Sequence, residues 1–241
     1  LVPGQLPGMA EKILKSGKNG VLISGGCDGG GRVPLSGFMD DLRLFKKKSG
    51  LLVNVHTGPF ADKETAESLL NAGVDMVSVD LLGKVGLAES IYGVEKREGL
   101  EPLRVLLEAG LRASPHVTIG LDRGGESGEA KAIERVRNLW KSGLKVEKLV
   151  LIVLIPTPGT AMEGVEPPQV PHVKKVFKRA AGLPWVLGCM RPRRDRRYAF
   201  EIEKAAVDLG ALGMAGASGK TLEYLEDRGY EIVRKPGCCV F

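Results

Sequence analysis

The sequence is poor in the residues that bind metals and stack on bases. Of its 241 residues, 4 are cysteine and 3 are histidine, and aromatics make up 5%. Cys27, Cys189, Cys238 and Cys239 are too sparse for a disulfide-stapled secreted scaffold, and no pair has the CxxC spacing of a zinc ribbon. A cytoplasmic protein with reduced thiols is the expectation. Basic residues are not interleaved with aromatics as on a nucleic-acid platform, so the net charge of +6 gives little support to a nucleic-acid partner and none is expected. No apolar run reaches the ~18 residues of a membrane span. The chain also lacks the basic, apolar and small-residue succession of a signal peptide. No membrane association is expected.

What is present is glycine (33 residues) and a hydrophobic content of 43%, enough for a sizeable core. Short β-branched runs recur: Gly20-Val21-Leu22-Ile23-Ser24, Leu51-Leu52-Val53-Asn54-Val55, then residues 74–79, 115–119, 149–155, 185–187 and 212–215. Each suits a buried parallel strand. Helical spacing fills the intervals, as in Phe38-Leu42-Phe45, Ala66-Leu69-Leu70 and Ile133-Val136-Trp140. Gly17, Gly50, Gly73, Gly110, Gly143, Gly182, Gly210 and Gly229 stand where helices should stop. Alternating strands and helices imply an α/β fold with a parallel sheet, read as a single domain over residues 1–241. Seven strands are expected, one short of a closed (β/α) TIM-type barrel. The first helix, residues 6–16, has no strand before it. The missing first strand is therefore expected upstream of Leu1, in a truncated barrel.

In parallel α/β folds, sites form at the carboxyl ends of the strands. The first run ends in Ser24-Gly25-Gly26-Cys27-Asp28-Gly29-Gly30-Gly31, whose free N–H groups suit a carboxylate or phosphate. It does not match GxxxxGK[ST], which argues against a nucleotide P-loop. Asn54 and His56 share one strand face, Ser78 and Asp80 share the next, and His116 and Thr118 the one after. Converging polar groups favour a polar ligand, and Asp80 suits ribose hydroxyls. A metal on His56, Asp80 and His116 would have no diagnostic spacing. Ile155-Pro156 ends an apolar strand able to sandwich a flat ring. Cys189 and Arg191 end another. Cluster ligand and substrate anchor stand there against packed thiol and surface arginine. Cys238-Cys239 are either incidental or, with Cys189, a three-thiolate iron–sulfur site. Lys46-Lys47-Lys48 reads as a solvated helix end.

Taken together, these strand ends resemble the radical S-adenosylmethionine (SAM) superfamily, in its biotin synthase and lipoyl synthase-like branch. Gly25-Gly26 falls where that family has its glycine motif. Residues 154–166 and 188–192 resemble the branch more specifically, and residues 24–239 look most like the archaeal-type two-component lipoyl synthase subunit. The resemblance implies SAM held by Ser24, Gly25, Gly26, Asp28, Asn54, His56, Asp80, His116, Ile155 and Pro156. It implies Arg191 on substrate and metal ligands at Cys189, Cys238 and Cys239. It further implies a 5′-deoxyadenosyl radical and sulfur insertion on an octanoylated carrier protein or peptide, with a second lipoyl synthase subunit and an electron donor protein as partners. Two departures stand out. Cys27 replaces the family's glutamate. The CxxxCxxC that binds the catalytic [4Fe–4S] cluster is absent, and its family position, before the first helix, is where the missing strand is expected. The fragment is therefore expected to be inactive alone. Another radical SAM enzyme and a non-catalytic barrel subunit are the alternatives. A Schiff-base aldolase would need a lysine inside a strand, and none is there.

Overall fold

The computed structural model describes residues 2–94, 101–235 and 240. Its strands are β1 (Gly20–Ile23), β2 (Leu52–His56), β3 (Met76–Asp80), β4 (Ala113–Ile119), β5 (Leu149–Val153) and β6 (Trp185–Leu187). All pair in parallel and in sequence order within one sheet. The helices are α1 (Ala10–Lys15), α2 (Met39–Ser49), α3 (Lys63–Asn71), α4 (Leu87–Tyr92), α5 (Pro102–Glu108), α6 (Glu129–Lys141), α7 (Val170–Arg179), α8 (Arg196–Asp208) and α9 (Gly219–Asp227). A parallel sheet in chain order with helices between its strands is a partial (β/α) TIM-type barrel.

All eight glycines expected to stop helices have positive φ, between 64° and 90°. At Gly50 the gain is explicit. The left-handed residue turns its N–H back to Lys46 O at 2.9 Å, satisfying a carbonyl that the helix end would leave bare.

The period of two sorts the strand residues onto two faces. Val53, Val55, Val77, Val79, Leu149, Leu151 and Val153 face the helices and join the main core with Leu42, Phe45, Leu69, Leu106, Ile133 and Phe177. Trp185 stacks on Phe177 there, with ring centroids 5.0 Å apart. The other face lines the barrel interior and changes character along the sheet. Asn54, His56, Ser78, Asp80, Ser114 and His116 make it polar on β2 to β4. On β5 and β6 it becomes a small apolar cluster of Val150, Ile152 and Val186, joined by Met76 and by Val240, which is 1% exposed. Gly188 follows β6 on that apolar wall, where a Cβ would run into Ile152.

The seventh expected strand is not a strand. Residues 212–215 run beside β6 and exchange backbone hydrogen bonds with it, Leu212 N–H to Trp185 O and Leu187 N–H to Gly213 O. The pairing amounts to one bridge, Leu187 to Met214. Leu212 is 68% exposed, so the burial that the apolar run promised is not realised. Among the described residues no helix is long and apolar enough to cross a membrane.

Candidate functional site

β1, β2 and β3 end side by side, and their last residues build one site. Register sets it: Ile23 pairs Val55, and His56 pairs Ser78, so Ser24, His56 and Asp80 step across three adjacent strand ends. His56 lies between the other two. Its Nδ1 is 3.4 Å from Ser24 Oγ and its Nε2 is 3.2 Å from Asp80 Oδ1. The Nε2 contact is within ion-pair distance but off the angle of a hydrogen bond, so that buried nitrogen has no aligned partner. Tyr92, at the end of α4, donates its hydroxyl to Asp80 Oδ2 at 3.4 Å. A cavity of about 390 Å³ opens over His56 and Asp80. Gly25, Gly26 and Cys27 line it on the β1 side, and Val33, Gly58, Ile91 and Tyr92 close it around His56 and Asp80.

The electrostatics follow from these contacts. Burial alone would raise the Asp80 carboxyl, but the imidazoles of His56 and His116 and the Tyr92 hydroxyl outweigh it and hold it below the ordinary carboxylate range. Burial alone would lower His56; its Asp80 partner outweighs that and raises it. Burial, then the Asp80 charge, pushes the Tyr92 hydroxyl up, so it stays a donor. Burial also pushes the Cys27 thiol up, helped by Asp80 and Asp28, so Cys27 is no ready thiolate. The His116 ring lies 5.9 Å from the His56 ring, centroid to centroid. Its Nδ1 is 3.1 Å from Ser114 O, which fixes a proton there, and burial lowers its pKa to about 4. It is a neutral imidazole beside a charged pair.

The expected site residues divide. Ser24, Gly25, Gly26, His56 and Asp80 come together, with His116 beside them. Asn54 does not reach the cavity. It is 1% exposed and bonded to Ser78, its Nδ2 donating at 2.9 Å, as a polar floor to the barrel. Asp28 is occupied with its own loop, accepting Gly30 N–H at 2.8 Å and Arg32 N–H at 3.0 Å. Ile155 and Pro156 are half-buried beyond β5 and do not line the cavity. Arg191 is fully buried, and all five of its N–H groups are used: Nε and Nη2 on Glu203 Oε1 at 3.0 and 2.6 Å, the rest on the carbonyls of Gly188, Ala215 and Gly216. The expectation of a substrate anchor meets a side chain with no donor left to give.

The iron–sulfur and metal-binding expectation is corrected. Among the described residues no group of three or more histidine, cysteine, aspartate or glutamate side chains could hold a metal ion. Cys189 is exposed after β6 and makes no such group, and Cys238 and Cys239 lie outside the described residues.

Two residues escaped sequence reasoning. Tyr92 sits on a helix that the pattern did not reveal. Glu129, 2% exposed at the start of α6, accepts the N–H groups of Gly120 and Ser127 at 2.9 Å and lies 3.2 Å from His172 Nε2. It ties down the loop after β4. A glutamate directly after Gly128, at a helix start, was the only signal.

No protein-family model and no curated protein matches the chain. Solved structures do. The FeFe-hydrogenase maturase HydG from Carboxydothermus hydrogenoformans matches with a TM-score of 0.60 at 14% identity, over 95% of this chain and 59% of that one. The chain thus spans less than two thirds of that protein. The HMG-CoA lyase from Brucella melitensis matches with a TM-score of 0.53 at 16% identity, over 83% and 74% of the two chains. Methylornithine synthase (PylB) gives 0.50 at 12% identity, over 82% and 63%. At these identities the likeness is one of fold alone, and it agrees with the partial (β/α) TIM-type barrel described above.

Proposed function

We propose that the chain binds S-adenosylmethionine at the mouth formed by β1, β2 and β3, as an enzyme of radical SAM-like type. The observation that carries the reading is the glycine pair. Neither Gly25 nor Gly26 has a positive φ, a Cβ on Gly26 would meet nothing within 4 Å, and one on Gly25 would make only ordinary contact with Val33. The chain's own packing does not demand glycine there. A ligand lying against the backbone would. Their exposed N–H groups suit the carboxylate of an amino-acid moiety, and Asp80, oriented by His56 and Tyr92, suits paired ribose hydroxyls.

Bound SAM would bring a sulfonium ready for carbon–sulfur cleavage. The described residues supply no ligand set for a cluster. What these residues do is bind, orient and fix protons. The finer reaction, sulfur insertion into an octanoyl chain on a carrier protein with a second subunit and an electron donor, rests on the resemblance of residues 24–239 to the two-component lipoyl synthase subunit, with residues 154–166 and 188–192 its more specific part.

Isothermal titration with S-adenosylhomocysteine tests the binding. Saturable binding is expected, weakened at least about tenfold, or about 1.4 kcal/mol, by Gly26→Val, which fills the cradle without touching the fold. Equal affinity of G26V and the parent chain would sink the reading.

A further inference from the structure

The row Ser24, His56, Asp80 has a second chemical meaning, independent of SAM. It places a hydroxyl on one imidazole nitrogen and a carboxylate on the other. Asp80 Oδ1 lies 3.2 Å from His56 Nε2, off the hydrogen-bond line, so the carboxylate favours the proton on Nε2 through its charge, which leaves Nδ1 as an acceptor 3.4 Å from the Ser24 hydroxyl. That is the polarity a base needs to take a proton from a nucleophile. Ser24 is exposed at the end of a strand and is followed by Gly25 and Gly26, whose N–H groups donate to no described residue. Two free backbone N–H groups directly after the nucleophile are suitable donors to a developing oxyanion. The cavity lined by those two glycines, His56 and Asp80 offers Val33 and Ile91 as apolar walls.

We infer that Ser24, His56 and Asp80 form a nucleophilic triad that hydrolyses small acyl esters. In the first step the Ser24 Oγ–C bond to the acyl carbon forms as the Oγ proton passes to His56 Nδ1. The acyl carbon–oxygen bond of the ester then breaks, and the leaving alkoxide takes that proton. In the second step water adds to the acyl-serine and gives a proton to His56. The Ser24 Oγ–C bond breaks, and Ser24 recovers the proton. One ester and one water become one acid and one alcohol, with no change in oxidation state. His56 is the base. Asp80 is a positioning residue for it, and Tyr92 holds Asp80. The groups facing His56 are Ser24 from β1, Asp80 from β3 and, 5.9 Å away, the neutral His116 from β4.

The probes are p-nitrophenyl acetate and a biotinylated fluorophosphonate, used on the whole chain. Turnover is expected, with the phosphonate located on Ser24 by peptide mass spectrometry and the rate lowered at least about a hundredfold by Ser24→Ala. Ser24 is exposed, so S24A should keep its melting curve. In Asp80→Asn the acid limb of the pH–rate profile should move to lower pH, because His56 loses the charge that raises it. Label on Cys27 or Tyr92 alone, no label, or S24A hydrolysing at the parent rate overturns the triad; an unmoved acid limb overturns the role of Asp80. S-adenosylhomocysteine titration of the parent chain separates the two readings. Labelling without nucleoside binding sinks the SAM reading alone, and binding without labelling sinks the triad alone.

Discussion

Asp80 and Glu203 both meet a nitrogen base on the barrel, and they meet it differently. Glu203 on α8 is closed. Its Oε1 takes two bonds from Arg191, and its Oε2 takes the Thr221 hydroxyl at 2.6 Å and the Ser218 N–H at 2.9 Å. The Arg191 and Glu203 side chains are 0% and 1% exposed. Asp80 is open: its side chain is 17% exposed, its His56 partner is off-angle, and a cavity lies over both. A network with every donor and acceptor filled ties α8, α9 and the end of β6 together. A network with a nitrogen left over, at the edge of a void, has capacity for something else. The difference separates a clamp from a site, and sequence position cannot, since Arg191 follows β6 much as Asp80 ends β3.

The comparison can be broken at four points. The largest effect belongs to the clamp. Arg191→Ala leaves a buried carboxylate without its cation and should cost about 3–5 kcal/mol in urea unfolding. The double variant R191M/E203L should recover most of it, since buried pairs are often replaceable by apolar groups. Next, Asp80→Asn should move unfolding by less than about 1.5 kcal/mol, because one partly open pair is lost, while weakening S-adenosylhomocysteine at least about tenfold. A D80N loss in stability equal to that of R191A would erase the distinction between clamp and site.

The third test uses acid. His116 titrates at about 4 in the folded chain against 6.5 for the free side chain. Between those values the unfolded chain binds more protons, so stability rises with pH. It should be complete above about pH 6.5 and fall away as pH drops toward about 4. His116→Gln should flatten that part of a pH series of denaturant midpoints. The smallest effect is expected far from both networks. Lys15→Ala removes the exposed Glu11–Lys15 pair of α1 and should change stability by less than about 0.5 kcal/mol.

The fold was largely legible because strand and helix periods are local. Trp185 to Leu187 was bounded as observed, and β2 and β3 were missed by one or two residues at their ends. Leu212 misled because an apolar run at a sheet edge reads like one inside it, and only its exposure in the fold tells them apart. The site was half legible. Alternation puts His56 and Asp80 on the inward face, which is why the sequence alone could pair them. Arg191 was misjudged because its identity cannot reveal that three carbonyls and Glu203 consume it. Glu129 and Tyr92 could not be found by pattern, since each acts through a tertiary partner.

Val240 has one further consequence, for folding order. The helix-facing core is built by neighbours in sequence, each strand settling against the helices beside it. The interior cluster is not. Val240 shares one buried cluster with Met76, Val150, Ile152 and Val186, so that cluster draws on residues from 76 to 240. During synthesis the outer layer can assemble as each unit emerges, while the lumen must wait for residue 240. Its polar wall therefore stands open to water longest in the life of the molecule, opposite an apolar wall still lacking its last residue.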